Sequence, residues 1–250
     1  MMRPKSALYY IDEITDITNE ALNLMVSKQE EKNSVDVASY TYRWSLESIG
    51  SIFLDTRLGC LQDPPPALAT ELIDSVNVAL GDVILRLTYG VPLWKLYRTK
   101  DYNSFDKASE SISSILSNIV HKAKNQVMAD NSLDKKNRDD MSVLEKLIDK
   151  CGPDSKIPEI MANDAMMAGI DTTGNSSSFL LYHLASNPQH QEIVYQEIKE
   201  KLGDKKLTPK LLNELKYLKE NMFFFALSKV KILRNYISKS WDILPVTTGL

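Results

Sequence analysis

The chain has little with which to cross-link itself, to grip nucleic acid or to ligate a metal. Among its 250 residues are two cysteines, Cys60 and Cys151, and three histidines, His121, His183 and His190. Two cysteines cannot make a disulfide framework, which points to a reducing compartment. The histidines have no metal-ligand spacing, so packing or surface roles are expected for them. The formal net charge of −3 comes without a basic stripe interleaved with aromatics, which argues against a nucleic-acid partner. Lys135, Lys136 and Arg138 sit among Asp134, Asp139 and Asp140 and read as a solvated loop. There is no glycine-rich phosphate loop and no Gly-x-Ser-x-Gly elbow; Gly174-Asn175-Ser176 does not qualify. Alternating strand patterns and internal repeats are also missing. Met1-Met2-Arg3-Pro4-Lys5-Ser6 leads straight into an amphipathic segment and resembles neither a signal peptide, a transit peptide nor an anchor.

What is present is helix, nearly from end to end. Ile11, Ile14, Ile17, Ala21, Leu24 and Met25 recur at helical spacing from Ser6 to about Glu31. After Lys32-Asn33-Ser34, the positions Tyr42, Leu46, Ile49 and Phe53 predict a second helix with one face in the core, flanked by Tyr40 and Trp44. Residues 59 to 66, with Pro64, Pro65 and Pro66, cannot continue it. A third helix is expected on Leu72, Val76, Ala79 and Val83, ending before Gly90-Val91-Pro92, then an apolar turn through Leu93, Trp94, Leu96 and Tyr97. Phe105, Ala108, Ile112, Ile115 and Ile119 predict a long fourth helix, and residues 129 to 140 a charged loop. A short helix on Leu144, Leu147, Ile148 and Cys151, with Cys151 expected as a buried helix residue, stops at Gly152-Pro153. Later, Asn187-Pro188 and Thr208-Pro209 each read as a cap followed by a proline start, with Glu197 and Lys201 spaced for an i, i+4 pair and Gly203 as a stop.

The stretch from Pro158 to Ser186 organises the rest. Its flanks are apolar nearly all round: Ile157, Ile160, Met161, Ala165, Met166 and Met167 before the centre, Phe179, Leu180, Leu181, Leu184 and Ala185 after it. They predict a buried helix of unusual length. Its centre, Ala168-Gly169-Ile170-Asp171-Thr172-Thr173-Gly174-Asn175-Ser176-Ser177-Ser178, runs against that, because two glycines cost about 1 kcal/mol each and Asp, Asn, Ser and Thr compete for backbone hydrogen bonds. Asp171 or Thr172 could cap a second helix after a break at Gly169, or the hydroxyls could form a polar face packed on another helix. Alternatively the helix opens at Ala168-Gly169 to leave room for a ligand, with Asp171 and Thr172 beside it as a carboxylate and hydroxyl pair for proton delivery.

Ala168-Gly169-Ile170-Asp171-Thr172-Thr173 inside a long apolar helix resembles the distal helix of the cytochromes P450. Tyr42-Arg43-Trp44-Ser45-Leu46-Glu47-Ser48-Ile49-Gly50 and Leu54-Asp55-Thr56-Arg57-Leu58-Gly59-Cys60-Leu61 are similar to the mitochondrial class of that family, and Asn187-Pro188-Gln189-His190-Gln191 resembles the turn after the distal helix. The resemblance implies an all-α fold, here an incomplete P450-like helical portion built on a long central helix. It implies a haem whose iron, bound by a cysteine thiolate, activates dioxygen to hydroxylate a small lipophilic substrate, with electrons from a ferredoxin-type donor in the mitochondrion. By the same resemblance, Ala168, Gly169, Thr172 and Thr173 lie against the haem and Asp171 and Thr172 are the catalytic acid–alcohol pair. The region from Gly90 onward forms the roof over the substrate.

The resemblance also marks what this chain does not match. The family's ligand lies in a Phe-x-x-Gly-x-Arg-x-Cys-x-Gly segment, and neither Cys60, in Leu58-Gly59-Cys60-Leu61, nor Cys151, in Asp149-Lys150-Cys151-Gly152-Pro153, sits in one. Its Glu-x-x-Arg pair and its Trp-x-x-x-Arg motif are missing too. Residues 1 to 220 therefore read as a partial P450 domain whose natural start is missing, and residues 221 to 250, with Phe223-Phe224-Phe225, as an unrelated and poorly ordered segment. On these grounds the chain by itself is expected to be inactive. A non-catalytic all-α interaction protein is the competing expectation.

Overall fold

Helix is the sole regular structure that the computed structural model contains among the residues it describes, which are 10–32, 36–129, 141–152, 154–203 and 205–220. In chain order, α1 is Ile11–Lys32, α2 Val37–Leu54, α3 Ala67–Leu80, α4 Asp82–Tyr89, α5 Lys100–Ala129, α6 Val143–Cys151, α7 Ile157–Ser186, α8 Pro188–Lys201 and α9 Pro209–Glu214. Leu93–Lys95 forms a 3-10 turn. The all-α expectation is met. No helix among the described residues is long and apolar enough to cross a membrane. The charged loop from residue 130 to 140 and the segment 221–250 lie outside the described residues.

The chain divides into two compact units, Met1–Asn175 and Ser176–Leu250. In the first, Leu46 of α2, Leu72 and Val76 of α3, Leu116 and Val120 of α5, Leu144 and Ile148 of α6 and Met166 and Ile170 of α7 are buried in one core. Full burial of each such side chain stabilises the fold by roughly 2 kcal/mol. The i, i+4, i+7 pattern of α5 appears as buried Ala108, Ile112, Ile115 and Leu116. Ile17 and Ala21 of α1 pack with Leu61 in a smaller cluster, where the Trp44 indole N–H donates to Thr18 Oγ1 at 3.0 Å. The start of α6 carries a capping box unread in the sequence: Ser142 accepts from the Glu145 N–H while Glu145 accepts from the Ser142 N–H.

Three expectations need correction here. The third predicted helix is two helices, because Gly81 takes an extended conformation with ψ of −151° between α3 and α4. Cys151 ends α6 half-exposed instead of buried. Helix α2 does not present a single face to the core: Thr41, Arg43, Ser45, Glu47, Ser48 and Ser51 are buried along with Tyr42, Leu46 and Phe53. Apart from the Ser48 hydroxyl, which has no partner among the described residues, its buried polar groups are held by partners. The fully buried Glu47 accepts from Arg57 Nε at 2.6 Å and from the Cys60 N–H at 2.7 Å, and Arg43 Nε donates to the Cys60 carbonyl at 2.6 Å. A buried carboxylate is tolerable only with such pairing. Together these bonds fasten the loop after α2, which turns through left-handed Asp55 and Gly59 (φ of 53° and 75°), onto the helix.

In the second unit, Thr208 caps α9 as expected, accepting from the Leu211 N–H at 3.3 Å. Asn187 occupies the N-cap position of α8 but makes no side-chain cap bond, since its amide donates to the His183 carbonyl at 2.9 Å. The expected Glu197–Lys201 pair does not form. Lys201 pairs with Glu200 at 2.9 Å, and the Glu197 carboxylate accepts the backbone N–H groups of Tyr217 and Leu218 at 2.9 and 3.0 Å. Two N–H groups at a helix start outcompete one exposed ion pair, whose worth is at most about 1 kcal/mol.

Candidate functional site

The polar centre of α7 neither breaks nor caps the helix. Residues 157–186 are helical throughout, so the expectation of a second helix capped at Asp171 or Thr172 is corrected. The side chains that could have competed with the backbone are engaged along the helix instead. Thr172 Oγ1 donates to the Ala168 carbonyl one turn back at 2.7 Å, and Asn175 Nδ2 donates to Asp171 Oδ1 one turn back at 2.8 Å. Two bonds come from α2. Tyr42 donates its hydroxyl to Asp171 Oδ1 at 2.8 Å, and Ser45 shares its hydroxyl hydrogen between the Gly169 and Ile170 carbonyls at 3.0 and 3.1 Å.

The glycines explain why α2 can come so near. A Cβ on Gly169 would stand 2.9 Å from Ile49 Cγ1, and one on Gly174 would stand 3.1 Å from Tyr42 Cγ. Close packing of two helices offsets the propensity cost of the glycines. The space that Gly169 leaves is thus filled by Ile49 of α2. The buried residues of α7 form a strict four-residue stripe, Pro158, Ala162, Met166, Ile170 and Gly174. The helix is therefore not buried all round; Ile160 and Met161 are about half exposed at 57% and 46%.

Of the residues singled out in sequence, Ala168, Thr172 and Thr173 are exposed, Asp171 and Gly169 are half-buried, and all five lie within fewer than two turns of one helix. Ala168 and Thr172, an i, i+4 pair, place one methyl and one short hydroxyl side chain in line on a face away from the buried stripe. This face fits a flat cofactor approaching the helix. The cysteines do not fit as its axial ligands. Cys60 is fully buried in the main core, and burial, reinforced by the Glu47 carboxylate, pushes its thiol well above the ordinary range. Cys151 closes α6 beside Gly152. The histidines pack or pair: His121 Nδ1 lies 3.7 Å from Glu159, and in the second unit His190 Nδ1 is 2.6 Å from the Tyr217 hydroxyl with the His183 ring 5.6 Å away. No group of three metal-ligating side chains occurs among the described residues.

Sequence reasoning missed Tyr42 and Ser45 as parts of this site. Tyr42 was assigned to a core stripe, and no spacing along the chain connects it to Asp171, 129 residues away. Burial first, and then the Asp171 carboxylate it faces, push the Tyr42 phenol above its ordinary range.

A family model described as cytochrome P450 matches residues 1–222. Among similar curated proteins, the probable cytochrome P450 49a1 of Drosophila melanogaster is 30% identical over 88% of this chain and 38% of its own length. The probable cytochrome P450 301a1, mitochondrial, of the same species is 32% identical over 84% of this chain and 38% of its own length. Cytochrome P450 CYP12A2 of Musca domestica is 28% identical over 100% of this chain and 44% of its own length. Other similar proteins carry the word mitochondrial in their names. The chain spans less than half the length of the curated relatives it matches.

Proposed function

Because this chain belongs to the cytochrome P450 family, we propose that it forms the distal-helix portion of a haem-thiolate monooxygenase that hydroxylates a small lipophilic substrate, with electrons from a ferredoxin-type donor. The observation that carries the reading is the arrangement on α7: Thr172 hydrogen-bonded back to Ala168 on an exposed face, with Asp171 on the same turn held from α2. The names of several relatives support a mitochondrial setting.

When bound, the haem supplies oxygen activation at a thiolate-ligated iron. Ala168, Gly169, Thr172 and Thr173 would line its distal face, Gly169 by its backbone since Ile49 occupies its side-chain space. Thr172 gives its hydroxyl hydrogen to the Ala168 carbonyl, which leaves the oxygen lone pairs as an acceptor on the exposed face. A protonated group or a water can therefore be held there. Asp171, adjacent in sequence, would take a proton from solvent and pass it toward Thr172. The burial of Cys60 in the main core and the position of Cys151 at the end of α6 support neither as a thiolate ligand, so this chain alone is expected to bind no haem as a thiolate complex.

The test is a haem titration of the 250-residue chain with a carbon monoxide difference spectrum, run beside a protein extended to the length of its relatives. The extended protein is expected to give the thiolate-type Soret band and the chain alone to lack it. An extended protein that stayed haem-free would overturn the reading. In that holoenzyme Thr172→Ala should consume oxygen without matching product, and unchanged coupling would remove Thr172 from the mechanism.

The exposed Ile160, Met161 and Tyr182 side chains, at 57%, 46% and 70%, favour a second reading in which the isolated chain is a non-catalytic interaction protein. A monomeric elution profile with a cooperative melt would count against it.

A further inference from the structure

Asp171 and Tyr42 meet across two helices in a way that singles out one carboxylate oxygen. Oδ1 accepts two hydrogen bonds, from the Tyr42 hydroxyl and from Asn175 Nδ2, each at 2.8 Å. Oδ2 has no partner among the described residues. Asn175 shares the helix with Asp171 and would follow any movement of it, whereas Tyr42 belongs to α2 and is 7% exposed. The Tyr42 ring packs against the bare face of Gly174, and Ser45, three residues further along α2, is bonded to the Gly169 and Ile170 carbonyls. The phenol therefore cannot leave Asp171 unless α2 and α7 separate. Two donors on one oxygen fix the rotation of the carboxylate and leave the other oxygen as the open position for a proton.

We propose that Tyr42 is a positioning residue for the distal acid: it locks the Asp171 side chain in one rotamer with Oδ1 occupied, so that the proton Asp171 takes up and releases travels on Oδ2. This rests on the function proposed above. In each cycle one O–H bond forms at Oδ2 with a proton from solvent and the same bond breaks on transfer, and the carboxylate returns to its starting charge. Tyr42 keeps its own proton throughout, consistent with a phenol whose ionisation is suppressed by burial and by the carboxylate it faces. A purely structural tyrosine would satisfy its buried hydroxyl on any acceptor and would leave the carboxylate's behaviour unaffected.

Tyr42→Phe separates the two cases, since it removes the donor and retains the ring that packs on Gly174. The first readout is the χ1 couplings and carboxyl carbon signal of Asp171, measured by NMR on the isotope-labelled chain and assigned with Asp171→Asn. One staggered rotamer is expected in the unsubstituted chain and rotamer averaging in Tyr42→Phe. Ser45→Ala, which loosens α2 from α7 without touching Asp171, should leave those couplings in place. A single rotamer in Tyr42→Phe, or averaging in Ser45→Ala equal to that in Tyr42→Phe, would overturn the proposal. The second readout uses the haem-loaded protein: Tyr42→Phe should lower product formed per oxygen consumed by about tenfold and raise the solvent isotope effect, at unchanged KM. Unchanged coupling in Tyr42→Phe, with coupling lost in Asp171→Asn, would overturn the positioning role. Unchanged coupling in both, with the rotamer result as expected, would uphold the lock and overturn the acid role in the proposed function.

Discussion

Gly174 of α7 packs so closely on Tyr42 of α2 that a Cβ added to the glycine would stand 3.1 Å from the ring and 3.3 Å from the tyrosine Cα. A Cα cannot rotate aside as a side chain can. Alanine at this position gains about 1 kcal/mol of helix propensity but forces backbone apart at a cost of about 1–3 kcal/mol. The expected net result for Gly174→Ala is a modest loss of stability.

Gly169 offers the sharper version of this experiment. There the obstacle is Ile49 Cγ1 at 2.9 Å, a side chain that can be removed. Gly169→Ala should destabilise the chain, yet be neutral or favourable when combined with Ile49→Ala. A double-mutant cycle by urea unfolding should return a coupling of about 1 kcal/mol or more. Additive effects would show that α2 and α7 do not close at this point.

Glu47 is fully buried and serves both Arg57 and the Cys60 N–H. Removing the Glu47 carboxylate leaves the buried Cys60 N–H without its acceptor, at a cost of about 1–3 kcal/mol, while the half-exposed Arg57 keeps Glu20. Glu47→Ala is therefore expected to unfold at markedly lower denaturant. Glu47→Gln, which keeps an acceptor for the amide, should lose about half as much. Equal losses in the two variants would show that charge, and not the hydrogen bond to Cys60, holds the loop.

A pH-dependent contribution is expected where α5 meets the start of α7. Lys124 Nζ donates to Glu159 Oε1 at 2.9 Å and to the Ser155 carbonyl at 3.1 Å. The Lys124 hydrogen bond, with a smaller contribution from His121, holds the Glu159 carboxyl below its ordinary value. A depressed folded-state value means that the stabilisation is fully present above the ordinary carboxylate value of about 4.3 and fades as pH falls through the folded one. The melting-temperature gap between the unsubstituted chain and Lys124→Met should therefore narrow from pH 6 down to about pH 3. A residual gap should persist, because the bond to Ser155 does not titrate. A gap independent of pH would remove the Glu159 contribution.

In the second unit, Glu197 accepts from the Tyr217 and Leu218 N–H groups. Glu197→Ala should speed hydrogen exchange of those two amides by about tenfold, the equivalent of about 1.4 kcal/mol, with α8 itself little affected. Unchanged exchange would mean that the amides are protected by something other than the carboxylate.

Most of the helices could be read from the amino acids alone, because apolar spacing, prolines and glycines act locally. Proline at 64, 65 and 66 keeps the segment before α3 out of a helix by removing donors, and Pro188 and Pro209 open α8 and α9 for the reason that a first-turn N–H has no partner to lose. The six residues from Ala168 to Thr173 marked the family together with the stretches at residues 42–50, 54–61 and 187–191, and the helix that bears them runs as long as its apolar flanks require.

Side-chain placement around those residues was not legible in the same way. Apolar residues lie nearly all round α7, so periodicity could not choose which face is buried. That choice falls to Gly169 and Gly174, which only make sense once α2 lies against them. Glu197 was expected to face Lys201 along its own helix, but two backbone amides near residue 217 compete for it. Asp171 shows the difference most directly: its place one turn before Asn175 is set by the chain, whereas the Tyr42 hydroxyl that fixes its Oδ1 comes from 129 residues away and is brought there only by packing.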